Sequence, residues 1–292
     1  MKNKILVTGA DGNLGRQLID IMRDMNYNYL GISRAHSREN LIKCDITNSK
    51  QISKIIMKFK PNIIIHLAGI TGNIECEANP NKTIETNVMG TFYILEAIKN
   101  KKIKLIFASS REVYGDCNSK VNENDFLNPN NLNGITKMIS ENLIINYNLK
   151  YKIPFNILRF TNFYGENNEK RGISKMIKSS LIKKKITIFG GNQKIDLIHF
   201  DDAVNAIIKT IEHKKNGIYN IGFGKSIKLL SLIKILENKS KIKINFQLEK
   251  SRHVDTQKFS VNVLKAKKEL GFEAKITPKI AIKRMVTKWK KN

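Results

Sequence analysis

Along the first 160 residues, short apolar runs alternate with longer stretches that carry an apolar residue every three or four positions. Residues 5–7 (Ile-Leu-Val) predict a buried strand. Residues 14–25 place Leu14, Leu18, Ile21, Met22 and Met25 on one face of a helix. The alternation continues with a strand over 28–32, a helix over 51–59, a strand over 63–66 introduced by Pro61, a long helix over 80–100, a strand over 105–108, a helix over 134–149 and a strand over 155–159. Strands this short and this uniformly apolar belong in a parallel sheet covered by helices on both faces, an α/β fold. No Pro/Gly/Ser linker, low-complexity stretch or internal repeat divides the chain. The expected organisation is a first domain over 1–160 and a smaller C-terminal α/β substrate lobe over 161–292. The lobe, with strands near 187–189 and 218–221, should pack over the sheet edge as part of one continuous unit.

The loop after the first strand adds chemistry to this pattern. Thr8-Gly9-Ala10-Asp11-Gly12-Asn13-Leu14-Gly15 leaves a strand and opens a helix. Gly9 permits the tight turn, Gly12 lets backbone approach a pyrophosphate, and Gly15 lets the helix pack on the strand. The free amides of the helix N-terminus then face negative charge. The spacing is G-x-x-G-x-x-G, and the strand–turn–helix context is the one a Rossmann-type, doubly wound dinucleotide-binding domain requires. In NAD binders, a carboxylate about 20 residues on accepts from the adenosine ribose. Here the second strand ends Gly31-Ile32-Ser33-Arg34. Arg34 suits a 2′-phosphate by charge and forked geometry, which favours NADP over NAD. The alternative is an Arg34 that only stacks on adenine, leaving NAD open.

Charge changes the picture less than its size suggests. The 292 residues hold 52 Lys+Arg against 25 Asp+Glu, a formal net charge of +27. That balance invites a nucleic-acid or membrane partner, but the lysines are spread along the whole chain. Their dense spots (99–104, 183–185 and 288–291) fall at predicted helix ends, where cations suit the dipole. A solvated basic face is the expectation, with no nucleic acid and no membrane as partner, and with a field that attracts nucleotide phosphates. Cys44, Cys76 and Cys117 form no C-x-x-C pair, so neither a disulfide framework nor a zinc site is indicated. No cluster has metal-ligand spacing, so no metal is expected. The opening apolar run breaks at Gly9 before a signal-peptide core could form, and no run approaches the roughly 20 residues of a membrane span. A cytoplasmic location is expected.

A series of motifs then resembles the extended short-chain dehydrogenase/reductases, and within them the NAD(P)-dependent sugar-nucleotide epimerase/dehydratase family. Gly9 to Gly15 is G-x-x-G-x-x-G. Cys44-Asp45-Ile46 is similar to the acidic–apolar pair that holds adenine, and His66-Leu67-Ala68-Gly69 to the H-L-A-A strand end. Asn87-Val88-Met89-Gly90-Thr91 resembles N-x-x-G-T, Ser109-Ser110-Arg111-Glu112-Val113-Tyr114-Gly115 resembles S-S-x-x-V-Y-G, and Arg159-Phe160-Thr161-Asn162-Phe163-Tyr164-Gly165 resembles R-x-x-N-x-Y-G. Asp196 to Asp202, Tyr219-Asn220-Ile221-Gly222 and Leu270-Gly271-Phe272 extend the likeness over nearly the whole chain. The resemblance implies a nucleotide-sugar substrate and hydride transfer at a ring carbon, commonly C4, in surface-glycan biosynthesis. It implies a homodimer formed by the helices over 80–100 and 134–149. It implies cofactor contacts from Gly9, Asp11, Gly12, Asn13, Leu14, Gly15, Ser33, Arg34, Asp45, Ile46, Leu67, Ala68, Gly69, Asn87, Ser109, Lys137 and Phe160. For substrate it points to Thr71, Glu112, Asn162, Arg252 and Asp255.

For catalysis the resemblance implies a hydroxyl, a Tyr and a Lys four residues later, acting as a tuned general acid–base. Ser110 and Lys137 match the first and last. The stretch Pro129 to Lys137 follows P-x-x-x-Y-G-x-S-K, but Asn133 stands at the tyrosine's place. A carboxamide does not titrate usefully near pH 7. Three readings follow: Tyr114, Glu112 or a water held by Asn133 and Ser110 carries the proton; the chemistry is slow or lost, leaving a dinucleotide-binding sensor or scaffold; or Asn133 is an introduced change. Two further departures matter. Ile195 replaces an Arg that would grip a substrate phosphate, while Arg252 and Asp255 match a late R-x-x-D element. Arg111-Glu112 replaces the Asp-Glu of 4,6-dehydratases, and an arginine cannot be the acid. The expected reaction is therefore epimerisation, ketone reduction or alcohol oxidation rather than 4,6-dehydration.

Overall fold

The computed structural model describes residues 3–37, 39–117, 119–169, 172–182, 185–252 and 257–289. The chain forms two compact units. The first comprises Met1–Gly115, Phe126–Arg159 and Ala206–Tyr219; the second comprises Asp116–Asp125, Phe160–Asn205 and Asn220–Asn292.

The first unit alternates strand and helix as the apolar pattern predicts: β1 (Lys4–Thr8), α1 (Asn13–Asp24), β2 (Asn28–Ser33), β3 (Leu41–Lys43), α2 (Ser49–Phe59), β4 (Ile63–His66), α3 (Asn73–Ala78), α4 (Pro80–Ile84), α5 (Gly90–Ile98), β5 (Lys104–Ser110), α6 (Leu132–Tyr151) and β6 (Phe155–Phe160). With the strand Gly217–Ile221 these make one seven-stranded sheet, in the order Gly217–Ile221, β6, β5, β4, β1, β2, β3. The pairs β1–β2, β1–β4, β2–β3 and β4–β5 are parallel. Leu6, Ile64, Leu105, Phe107 and Ile157 form one buried cluster with residues of α2, α5 and α6. Ile5, Val7, Ile63 and Ile65 point to the opposite face by the two-residue strand period and are buried as well. Both faces are covered, so this is the Rossmann-type, doubly wound arrangement the sequence predicts.

Three details differ from the sequence expectation. Met25 is 53% exposed, because it caps α1 one residue beyond the turn that Leu18 and Met22 bury. The helix over 80–100 is interrupted by a π-helical turn, Glu85–Met89. There the Asn87 carbonyl accepts from the Thr91 and Ser140 hydroxyls at 2.6 and 2.9 Å, and these side chains compete with the helical ladder. The strand Gly217–Ile221 joins the large sheet beside β6 instead of a separate lobe. Every residue of β6 is buried, and a buried strand needs a pairing partner on each side.

The second unit has a three-stranded sheet, in which Lys194–His199 lies between Ser226–Lys228 and Asn162–Tyr164, and a two-stranded pair of Ile186–Phe189 with Phe246–Glu249. Its core gathers Ile177, Leu232, Leu236, Ile282, Met285 and Trp289 from three helices. Asp196, fully buried, ties its loops together. One carboxylate oxygen accepts from the Phe223 and Gly224 amides and the other from the Val261 amide. Burial raises this carboxyl to about 7. Among the described residues no helix is long and apolar enough to cross a membrane.

Candidate active site

The head of α1 is built from backbone. Gly9 takes a left-handed φ of +68°, and a Cβ there would lie 2.7 Å from the Ala68 nitrogen. A Cβ on Gly15 would lie 2.2 Å from the Gly9 carbonyl oxygen. Side chains are excluded at both positions by contact with fixed backbone. The N-cap is Gly12, no side chain caps the helix, and its first turn carries no acid. A helix N-terminus without a side-chain cap and without an acid in its first turn accepts an anion. The residues present fit a dinucleotide's pyrophosphate. Asp11 pairs with Arg16 at 2.9 Å and His36 at 3.5 Å, which joins the glycine loop to the segment after β2. Arg34 is exposed on that segment, and the buried Ser33 hydroxyl accepts from the Ala35 amide. Asp45 closes a local turn by accepting from Thr47, and Ile46 fills the space over Gly90.

The ends of β1 and β4 are locked by a hydrogen-bonded chain. The Ala68 amide donates to Thr8 Oγ1, the Thr8 hydroxyl meets His66 Nδ1 at 2.7 Å, and His66 Nε2 meets Thr91 Oγ1 at 3.1 Å. Thr91 donates its own proton to the Asn87 carbonyl, so His66 carries its proton on Nε2. Burial, reinforced by the Lys137 ammonium, lowers His66 to about 3, and the ring is neutral. Asn87 spends its carboxamide on both backbone groups of Ile70 and on Thr136. These bonds fix the path of Leu67, Ala68 and Gly69.

The third wall is the end of β5 and the head of α6. Ser110 caps a short 3-10 turn, Arg111–Tyr114, by accepting from the Glu112 amide. Asn131 caps α6: its oxygen accepts from the Gly134 amide at 2.9 Å, and its nitrogen donates to Glu112 Oε2 at 2.8 Å. The other Glu112 oxygen pairs with Arg111 at 2.6 Å. Both Glu112 oxygens are therefore engaged. Gly134 allows the close approach, since a Cβ there would lie 2.4 Å from the Glu112 carbonyl oxygen. Asn133 is buried. Its nitrogen donates to Asn73 Oδ1 at 3.4 Å, and its oxygen has no hydrogen-bond partner among the described residues.

One turn on, buried Lys137 donates to the Ala108 carbonyl at 2.7 Å, with its ammonium 4.6 Å from the centre of the Phe107 ring. A Cβ on Gly69 would lie 3.6 Å from Lys137 Nζ. Burial lowers this lysine to about 8, against the upward pull of Cys76 and Glu141. Behind it, Glu141 takes bonds from Arg159 at 2.6–3.1 Å and from the Ser109 hydroxyl at 2.5 Å. Arg159 also donates to the Tyr114 hydroxyl at 2.7 Å, with its guanidinium over the Tyr114 ring. Tyr114 is thus held in a buried structural network.

Sequence reasoning missed three supports here: Glu141, Asn131 and Asn73. Asn131 was legible as an N-cap before a predicted helix; a buried Glu141 on a long helix has no such mark. In the second unit, buried Phe160 packs on Phe163 at 5.2 Å, Asn162 is half-buried, and Arg252 lies over the Phe189 ring. Asp255 lies outside the described residues. Thr71 is exposed just before α3. Among the described residues, no group of three His, Cys, Asp or Glu side chains could hold a metal ion.

A profile of the NAD dependent epimerase/dehydratase family matches residues 5–222. The chain belongs to that family. It is 32% identical, over 99% of its length and 98% of the relative's, to a Methanocaldococcus jannaschii protein provisionally named a UDP-glucose 4-epimerase. It is also 32% identical to a dTDP-D-glucose 4,6-dehydratase of Dictyostelium discoideum, covering 80% of this chain and 62% of the relative. Among solved structures, the UDP-glucuronic acid 4-epimerase of Bacillus cereus, in complex with UDP-glucuronic acid and NAD, superposes with a TM-score of 0.90. Its identity is 27%, with 99% of each chain covered. Family membership makes the protein an enzyme of the NAD-dependent epimerase/dehydratase type, and the residues at the head of α1 fit the pyrophosphate of the dinucleotide such an enzyme binds.

Proposed function

We propose that this member of the family moves a hydride to or from a ring carbon, C4, of a nucleotide-activated sugar, as an epimerase, ketoreductase or alcohol dehydrogenase. The observation that carries the reading is the juxtaposition at the strand ends: a bare phosphate cradle, Gly69, and the Lys137 ammonium held beside it. A bound dinucleotide supplies the hydride acceptor and donor. Gly9, Gly12 and Gly15 would hold its pyrophosphate, and Lys137 would meet its nicotinamide ribose. Ser110 would polarise the reacting oxygen. Arg34, exposed at the end of β2 where residues 31–37 include no Asp or Glu, favours NADP over NAD. The nucleotide sugars in the names of the relatives support a UDP- or dTDP-sugar substrate, and we place the reaction in surface-glycan biosynthesis. Arg111 at the position of the dehydratase aspartate disfavours 4,6-dehydration. Exposed Ile84, Ile135 and Ile139 on the 80–100 and 134–149 segments suit a homodimer through those helices. A second reading, a dinucleotide-binding protein with impaired turnover, rests on Asn133.

The test has two steps. NADP⁺ and NAD⁺ are titrated into the purified protein and into Arg34→Ser. The nicotinamide absorbance is then followed on adding UDP-glucose, UDP-glucuronic acid or dTDP-glucose. The proposal expects tighter NADP⁺ binding that Arg34→Ser abolishes, and a redox signal with one of the sugars. Binding without any redox signal favours the second reading.

A further inference from the structure

We propose that Lys137 itself gives and takes the proton at the reacting sugar oxygen, in place of the tyrosine that Asn133 has displaced. The inference rests on the hydride-transfer reading above. Four groups at the head of α6 and the end of β5 could titrate or relay. The Tyr114 oxygen accepts from Arg159, whose guanidinium lies over its ring, and the side chain is buried. Glu112 has one oxygen on Arg111 and the other on Asn131. Asn133 has no proton to give and leans on Asn73. Lys137 differs from all three. Its ammonium has three donors, and the structure shows one of them used, on the Ala108 carbonyl. It lies against the glycine at the end of β4, where the missing Cβ leaves backbone beside it.

The surroundings also make the proton mobile. Lys137 sits under the Phe107 ring, away from water. The titratable groups facing it are His66 on β4, Cys76 on α3 and Glu141 on its own helix. His66 is neutral, and Glu141 is bound to Arg159 and Ser109. Burial raises Cys76 to about 11, so it stays a thiol. Among the described residues no carboxylate is left to hold the lysine's charge by a direct ion pair, and burial brings it down to about 8, where a general acid serves near neutral pH. The proton balance is simple. As the ring carbonyl carbon would gain a hydride, which a bound reduced dinucleotide would supply, its oxygen would gain a proton from Nζ, leaving a neutral amine that regains its proton from solvent once the product has left. Oxidation runs the same steps backwards.

Three measurements test this. In lysine labelled with ¹³C at Cε, the Lys137 signal, assigned by its loss in Lys137→Arg, should titrate near pH 8. A midpoint at 10 or above overturns the proposal. Lys137→Arg keeps the charge but cannot release a proton near neutral pH. At saturating NADP⁺ it should lose about 10²-fold or more of turnover with whichever of UDP-glucose, UDP-glucuronic acid and dTDP-glucose reacts fastest. Retained turnover overturns the proposal. Should arginine not fit the buried site, Lys137→Ala that still binds NADP⁺ should regain turnover with added methylamine and not with guanidinium; no rescue overturns it. A parent protein that binds NADP⁺ and turns over none of the three sugars overturns the hydride-transfer reading and this inference together, whereas turnover that survives in Lys137→Arg overturns the inference alone.

Discussion

The heads of α1 and α6 lie in the same unit and are treated in opposite ways. The head of α1 has a glycine N-cap, no side-chain cap and no acid in its first turn. The head of α6 is closed by the protein itself. Asn131 caps it, Glu77 accepts from the Leu132 amide at 2.8 Å, and Glu112 braces the cap. One helix end carries no side-chain cap, and the other is capped and braced by side chains around Asn133 and Lys137. A site made of bare backbone tolerates no added atoms but needs no particular side chain. A site made of side chains depends on the identity of each one, and Asn133 stands at one such position.

The largest effect should come from undermining the α6 side. Glu141→Ala leaves Arg159 buried without its carboxylate, and breaking such a pair costs about 3–5 kcal/mol. Denaturant unfolding should show that loss. A loss below 1 kcal/mol would mean that the Arg159 network does not support this end of the site.

Acid acts on the chain that locks β1 to β4. His66 is neutral when folded and titrates near 3, against an ordinary value of 6.5. Between those values the unfolded chain binds more protons than the folded one, so stability rises with pH across the window. As the pH falls from about 6.5 to 3, this group should remove about 4 kcal/mol. Thermal melts in His66→Gln should lose most of that slope; an unchanged slope would assign it to other groups.

Asn133→Tyr should raise turnover about 10²-fold by restoring a phenol one turn from Lys137. No gain would show that the head of α6 cannot present a tyrosine to the substrate. The smallest effect should be Asn131→Ala, about 1 kcal/mol from the lost cap. NADP⁺ affinity should stay unchanged, because the cradle at α1 does not use that residue.

How much was legible in the sequence follows the same division. The strand–glycine–helix unit could be read because Gly9, Gly12 and Gly15 are required by backbone geometry that local spacing encodes. The strand ends 66–69 and 109–110 could be placed because apolar runs mark where strands stop. The π-helical turn at Glu85–Met89 could not, since it arises from Asn87 meeting Ile70, Thr136 and Ser140 far away in the chain. Glu141 was hidden for the same reason. Its partners Ser109 and Arg159 lie on two strands that only the sheet brings together. The edge strand Gly217–Ile221 was visible as a strand, but its partner β6 was not, because pairing is not written in either segment alone.

The central claim is that the bare head of α1 holds a nicotinamide dinucleotide. It is tested most directly by calorimetric titration of NADP⁺ into the parent protein and into Gly15→Ala, whose methyl would meet the Gly9 carbonyl oxygen. The account predicts saturable binding by the parent and at least about 10²-fold weaker binding by a variant that remains folded by circular dichroism, a loss of about 2.7 kcal/mol. A parent that binds neither NADP⁺ nor NAD⁺, or a folded Gly15→Ala that binds as tightly as the parent, would contradict it.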